Sequence, residues 1–190
     1  MISRVRRAEA KLASATQEAN ALREKLAEAQ DTARRDPLTG LPNRRAMTEA
    51  MAAGASGGRD CVALCDIDRF KLINDQHGHP VGDRVLVAIG QALADACGDH
   101  LVVRHGGEEF AVLMRDTDLK DATALLERAR QAIALKRFRS RETNALLGSI
   151  TISAGVTALA TGERGEDAME RADRLLYTAK EQGRDQVCVG

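Results

Sequence analysis

The chain has 190 residues, 44% of them hydrophobic and 29% charged, with 28 basic side chains balanced by 28 acidic ones. That length suits one ordinary domain plus an appendage, and zero formal charge with 2% aromatics excludes both a basic nucleic-acid binder and a base-stacking platform. No window approaches the roughly 18 apolar residues of a membrane span, the charged N-terminus lacks the apolar core of a signal peptide, and four cysteines without paired spacing suit reduced thiols in a cytoplasm.

Residues 1–35 contain no Gly and no Pro and consist mainly of helix formers. With Val5 at position a, the a series is Val5, Leu12, Ala19, Leu26 and Ala33, and the d series is Met1, Ala8, Ala15, Leu22 and Ala29. All ten are apolar, which predicts a parallel two-stranded coiled coil. Arg4 would face Glu9 of a partner, and Glu18 would face Arg23, both attractively. Half the seam is Ala, which buries little area and suits a stalk that can shift register to transmit a signal.

Asp36-Pro37 ends this segment, because the residue before Pro is pushed out of the α region. Gly40-Leu-Pro-Asn43 reads as a turn, with Pro42 in the first turn of a helix running to about Ala53, and Gly54 to Gly58 as a flexible connection. The apolar run Cys61–Cys65 predicts a buried strand ending in Asp66-Ile67-Asp68. Helical spacing is expected over 69–76 and again over 83–97, separated by a loop from His77 to Gly82. Leu101–Val103 and Phe110–Met114 predict a β-hairpin whose glycines, Gly106 and Gly107, supply a positive-φ turn. A helix at about 118–136, a strand over Ser149–Ser153 and Val156, a helix at about 167–181 and a strand over Gln186–Val189 complete the pattern. Strands separated by helices, with one hairpin, imply an α/β domain over 36–190 with a mixed β-sheet flanked by helices.

Three features converge on chemistry: Asp66-Ile67-Asp68 at a strand end, Gly106-Gly107-Glu108-Glu109 at a hairpin tip, and Lys180 with Arg184 near the C-terminus. Carboxylates gathered at one sheet edge repel one another and call for a hard divalent cation. Few protein oxygens on rigid elements suit Mg²⁺ carrying a nucleotide's phosphates.

Arg104-His105-Gly106-Gly107-Glu108-Glu109-Phe110 resembles the signature of the GGDEF-domain diguanylate cyclases in its GGEEF form. The resemblance extends over residues 36–190 through five further blocks in the family's order: Asp36–Arg44, Asp66–Asp75, His77–Asp83, Thr151–Gly155, and Ala172–Lys180 with Gly183-Arg184. It implies a palm-like sheet similar to nucleotide cyclases and polymerases, and condensation of two GTP into cyclic di-GMP and two pyrophosphates. On this resemblance Asp66, the carbonyl of Ile67, Glu108 and Glu109 bind metal, expected as two Mg²⁺ per half-site with Mn²⁺ able to substitute. Glu108 is the candidate proton acceptor, with Glu109 sharing catalytic or metal-binding roles. Asn74 and Asp83 read guanine, while the backbone of Phe70 with Lys71, Lys180 and Arg184 holds the β- and γ-phosphates. A carboxylate at Asp83 suits guanine, whose N1–H and 2-amino group are donors that adenine lacks.

Each subunit is then half a site for one GTP, so a homodimer held by the parallel coil is part of the catalytic arrangement. A cytoplasmic enzyme is expected, without nucleic-acid or membrane partners in this chain and with a sensor or receiver domain upstream. The alternative is a catalytically inactive domain of the same family acting as a GTP-binding signalling module. One departure bears directly on function, and two are smaller. Many members carry an inhibitory product site with Arg nine and Asp six residues before the first signature Gly; Cys97 and His100 stand there, so product inhibition by that route is not expected. His105 replaces the usual Tyr, and Asp185 replaces the usual Asn, adding negative charge beside Arg184. His77 and His79 read as loop residues, Cys61 and Cys65 as small core hydrophobes, and the basic run Lys136–Arg141 as a solvated face.

Overall fold

The computed structural model describes residues 2–53, 59–139 and 147–190, with side chains from residue 16 onward. The expected Gly54–Gly58 connection, the end of the basic run and the first half of the heptad seam's side chains lie outside the described residues. The chain divides into two compact units, one ending at Arg35 and one spanning Asp36–Gly190.

The first unit is a single helix, α1 (Ile2–Ala33). Leu22 and Leu26 are 60% and 58% exposed, so the described part of the seam lies open along this chain. The helix ends in a tightened turn, where the amides of Arg34 and Arg35 donate to the carbonyls of Asp31 and Thr32.

The second unit contains α2 (Arg44–Ala52), β1 (Asp60–Ile67), α3 (Phe70–His77), α4 (His79–Cys97), β2 (Leu101–Arg104), β3 (Glu109–Met114), α5 (Leu119–Leu135), β4 (Ile152–Leu159), α6 (Gly165–Glu181) and β5 (Val187–Val189). The strands form one sheet in the order β2-β3-β1-β4-β5. All pairings are antiparallel except β4 with β5, which is parallel and joined by the α6 crossover. The mixed sheet flanked by helices agrees with the expected palm-like α/β class.

β1 lies at the centre, and all eight of its residues are buried, as its continuous apolar run demands. Cys61, Ala63, Cys65 and Ile67 face a core formed with Val85, Ile89 and Leu93 of α4 and with Leu126, Ala129 and Ile133 of α5. Leu64 faces the opposite side, against Met47 of α2 and Ala172 and Leu176 of α6. Gly155 of β4 is required by that second layer: a Cβ there would lie 2.2 Å from the Ala172 carbonyl oxygen and 2.4 Å from the Leu176 nitrogen. Phe138, the one aromatic in the basic run, is buried in the core.

Several boundaries differ from the sequence reading for physical reasons. Asn43 is the N-cap of α2, accepting from the amides of Arg45 and Ala46, so Pro42 precedes the helix; the Pro42 carbonyl instead accepts from the Arg104 amide at 2.9 Å. The expected 77–82 loop shrinks to Gly78, which caps α3 and starts α4 at φ 81°, because Pro80 suits a first helical turn. β4 begins at Ile152 and not at Ser149.

Candidate active site

β1 and β3 end side by side and deliver the carboxylates. Asp66 is registered opposite Glu109, and the Ile67 amide donates to the Glu108 carbonyl at 3.3 Å. From α6, the Lys180 ammonium reaches the Asp66 carboxylate at 3.0 Å. Asp66 is only 5% exposed. Burial pushes its carboxyl up to about 6, Lys180 opposes the rise, and the charges of Glu108 and Glu109 add to it. Burial likewise raises Glu108, with Lys180 opposing and Glu109 adding.

Asp68 does not join this group. It is buried with its carboxylate accepting from Thr151 Oγ1 and Ser153 Oγ, both at 2.7 Å, and from the Asp185 amide at 3.0 Å. Among the described residues no three His, Cys, Asp or Glu side chains gather tightly enough to form a ready-made metal cage. Asp66, Glu108 and Glu109 still fit a hard divalent cation. Their oxygens are the right donors, and their mutual repulsion at Asp66 is the strain a cation would relieve.

The signature turn is built differently from the expected one. Gly106 and Gly107 are not at positive φ. The amides of His105 and Gly106 both donate to the Glu109 carbonyl, at 2.8 and 3.1 Å. A Cβ at Gly106 would lie 2.6 Å from Glu109 Oε2, so any larger residue there would displace the end of that carboxylate side chain. The Arg104 guanidinium donates to the Gly107 carbonyl at 2.7 Å and to both Asp36 oxygens at 3.1 and 3.2 Å. Burial would raise the Asp36 carboxyl, but hydrogen bonds from Thr39 and Arg104 outweigh it and hold it below its ordinary value. His105 is pushed down by burial and by Arg44, against Glu109 and Asp173, and its Nδ1 is buried without a partner.

The nucleotide-reading candidates lie on α3 and α4. Arg69, at φ 55°, starts α3 without a side-chain cap, and the amides of Phe70 and Lys71 find no acceptor among the described residues. Free amides at a helix start suit a phosphate. Asn74 Oδ1 is buried and unpaired, seated over Gly82, while Asp83 is exposed on the facing helix. An orphaned buried acceptor is costly unless a ligand's donor meets it. Lys71 and Arg184 are exposed, and Arg184 sits at φ 69° in a turn that follows Gly183 at φ 123°.

Cys97 is buried at the end of α4, where burial pushes its thiol up to about 11, and the His100 amide donates to the Cys97 carbonyl at 3.2 Å. Cys61 and Cys65 are core residues, and His77 and His79 are exposed at the α3–α4 junction. The tethers formed by Asp36 with Arg104, and by Asp68, were not assigned from sequence. Their only sequence signal was membership in the Asp36–Arg44 and Asp66–Asp75 blocks. Asp185 is also placed differently from the expectation: its carboxylate pairs with Arg130 of α5 and does not stand uncompensated beside Arg184.

Residues 33–186 match the family described as diguanylate cyclase, GGDEF domain. Over 180 residues the chain is 43% identical to the diguanylate cyclase DgcP of Pseudomonas aeruginosa, covering 92% of this chain and 26% of that protein. It is 39% identical over 178 residues to the diguanylate cyclase VdcA of Vibrio cholerae, covering 93% and 52% respectively, so the chain spans a quarter to half the length of these relatives. Its fold matches the coiled coil and GGDEF domain of DgcB from Caulobacter crescentus, solved in complex with c-di-GMP, with a TM-score of 0.86 and 34% identity over 96% of this chain and 98% of that one. No helix among the described residues is long and apolar enough to cross a membrane. The chain belongs to the GGDEF-domain diguanylate cyclase family.

Proposed function

We propose that the chain condenses two GTP into cyclic di-GMP and two pyrophosphates, each subunit of a homodimer supplying half of the site. The observation that carries this reading is the edge formed by Asp66, Glu108, Glu109 and Lys180, set beside the uncapped start of α3. Asp66, the Ile67 carbonyl, Glu108 and Glu109 would hold Mg²⁺, with two ions per half-site and Mn²⁺ as a substitute. The metal would supply Lewis-acid stabilisation of the charge that develops on the phosphates.

The chain's own groups do the remaining work. Asn74 and Asp83 read the guanine edge, and the Phe70 and Lys71 amides, with the Lys71, Lys180 and Arg184 side chains, hold the β- and γ-phosphates. The 3′-hydroxyl of one GTP attacks the α-phosphorus of the other as pyrophosphate leaves. Glu108, whose basicity is raised by burial and by Glu109, accepts the hydroxyl proton. Attack needs two half-sites face to face, and the open seam at Leu22 and Leu26 is the surface through which a parallel coil would bring two subunits together. With Cys97 and His100 at the positions of the usual inhibitory Arg and Asp, the product does not inhibit by that route.

The test is incubation of the purified protein with GTP and Mg²⁺, with products followed by chromatography and mass spectrometry beside Glu108→Ala. Cyclic di-GMP from the parent and none from the variant supports the reading. GTP binding without product points to the GTP-binding signalling module instead. Added cyclic di-GMP is expected to leave the rate unchanged, and strong non-competitive inhibition would overturn the product-site reading.

A further inference from the structure

The turn that presents Arg184 has an unusual electrostatic neighbour. Gly183, Arg184 and Asp185 have φ values of 123°, 69° and 48°, three successive residues in left-handed backbone. That backbone is pinned at both ends: the Arg184 amide donates to the Ala179 carbonyl at 3.0 Å, and the Asp185 amide to the Asp68 carboxylate at 3.0 Å. The Asp185 carboxylate itself adds nothing to these backbone bonds. It reaches across to Arg130 of α5, whose side chain is 15% exposed and whose guanidinium also grips Glu127 through Nε at 2.9 Å.

We propose that Arg130 is a positioning residue for nucleotide binding, acting by holding the Asp185 carboxylate away from Arg184 and from the incoming triphosphate. The inference rests on the reading of Arg184 as a phosphate-binding residue. Without Arg130, Asp185 and Glu127 lose the cation they share. Asp185, adjacent in sequence to Arg184, then either pairs with that guanidinium or repels the phosphates. Both outcomes weaken GTP capture and leave the chemistry of bound GTP largely intact. The backbone of the turn does not depend on Arg130, because Asp68 and Ala179 hold it. The role is therefore one of charge and not of tethering, and removing the Asp185 charge should make Arg130 dispensable.

A double-mutant cycle on the whole chain tests this with GTP and Mg²⁺, reading KM and kcat separately and thermal stability alongside. Arg130→Ala is expected to raise KM for GTP by roughly fivefold, the scale of one partly exposed ion pair, with kcat within about twofold. Asp185→Asn should leave KM at or below the parent value, and Arg130→Ala added to Asp185→Asn should change it by less than about twofold. An equal rise in both backgrounds, or a rise on Asp185→Asn alone, overturns the proposal; the latter arm stands even if Arg130→Ala fails to fold. Arg184→Ala separates the two readings. If it leaves KM unchanged, the assignment of Arg184 fails; if it raises KM while Arg130→Ala does not, only the role of Arg130 fails.

Discussion

Gly82 offers a direct probe of guanine reading, because its missing side chain is what seats Asn74. A Cβ at residue 82 would stand 1.9 Å from Asn74 Oδ1, 3.0 Å from its Cγ and 3.2 Å from Phe70 Cζ. Ordinary carbon–oxygen contacts begin at roughly 3.3 Å, so Gly82→Ala must drive Oδ1 back by about 1.4 Å. The group that yields is the end of a rotatable, half-buried side chain, so the fold tolerates the change. The helix gains up to about 1 kcal/mol from replacing Gly by Ala within α4. Binding behaves in the opposite way. Displaced by more than 1 Å, Asn74 would lose the hydrogen bond proposed for it to the base, worth about 1–3 kcal/mol where a donor and a buried acceptor part. We therefore expect Gly82→Ala to keep or raise the melting temperature while raising KM for GTP about 5- to 150-fold, with a narrowed preference for GTP over ITP. Steady-state kinetics with both nucleotides and a thermal melt decide it. An unchanged KM and unchanged GTP preference in a well-folded variant would refute the placement of Asn74 at the base.

Gly155→Ala should behave in the opposite manner: its Cβ would meet backbone atoms of α6 at 2.2 and 2.4 Å, which cannot rotate away, so a loss of about 3 kcal/mol or more is expected in denaturant unfolding. Asp36 carries an acid limb of stability. Its carboxyl is held below its ordinary value of 3.8, so its contribution is fully present above that value and is lost as pH falls through the lower folded value. Asp36→Ala should cost about 1–3 kcal/mol at neutral pH and flatten the stability profile below about pH 4; an unaltered acid limb would show that other carboxylates carry it. Burial raises the thiols of Cys61 and Cys97 to about 11 and Cys65 higher still, so all three should resist a thiol reagent at pH 8 in the native state, while half-exposed Cys188 reacts first. Reaction of all four at one rate would contradict the packed core.

The central strand was legible because an unbroken apolar run is hard to place anywhere but in the middle of a sheet, and β1 is buried along its whole length. The helices were legible from their spacing, and their errors cluster at the ends. The sequence places Pro42 in the helix's first turn, but Asn43 takes the cap because its side chain can satisfy two free amides. The signature glycines were legible as a turn but not in their mechanism. Two adjacent glycines suggest left-handed backbone, whereas neither adopts it and the turn is closed by the His105 and Gly106 amides donating to the Glu109 carbonyl. On spacing alone Asp68 is indistinguishable from a further carboxylate ligand of the metal. Its true partners, Thr151, Ser153 and the Asp185 amide, lie 83, 85 and 117 residues away in sequence, beyond any local pattern.

A common arrangement connects these cases. The groups assigned to metal and phosphate sit at or just beyond the ends of β1, β3, α3 and α6, where backbone hydrogen bonding thins out and the chain is least constrained by its own secondary structure, while Asn74 and Asp83 lie within α3 and α4. Three of these ends are held by charged side chains in contacts that join segments far apart in sequence. Arg104 and Asp36 grip the signature turn, Asp68 grips the Arg184 turn, and Lys180 holds Asp66. In the first two cases a buried or half-buried charge accepts or donates several hydrogen bonds at once, which is how such a charge becomes tolerable away from water. The residues proposed to touch the nucleotide form short local motifs because each element end contributes neighbours in sequence. Those that position them do not, because a tether is useful only when it joins segments the chain itself keeps apart.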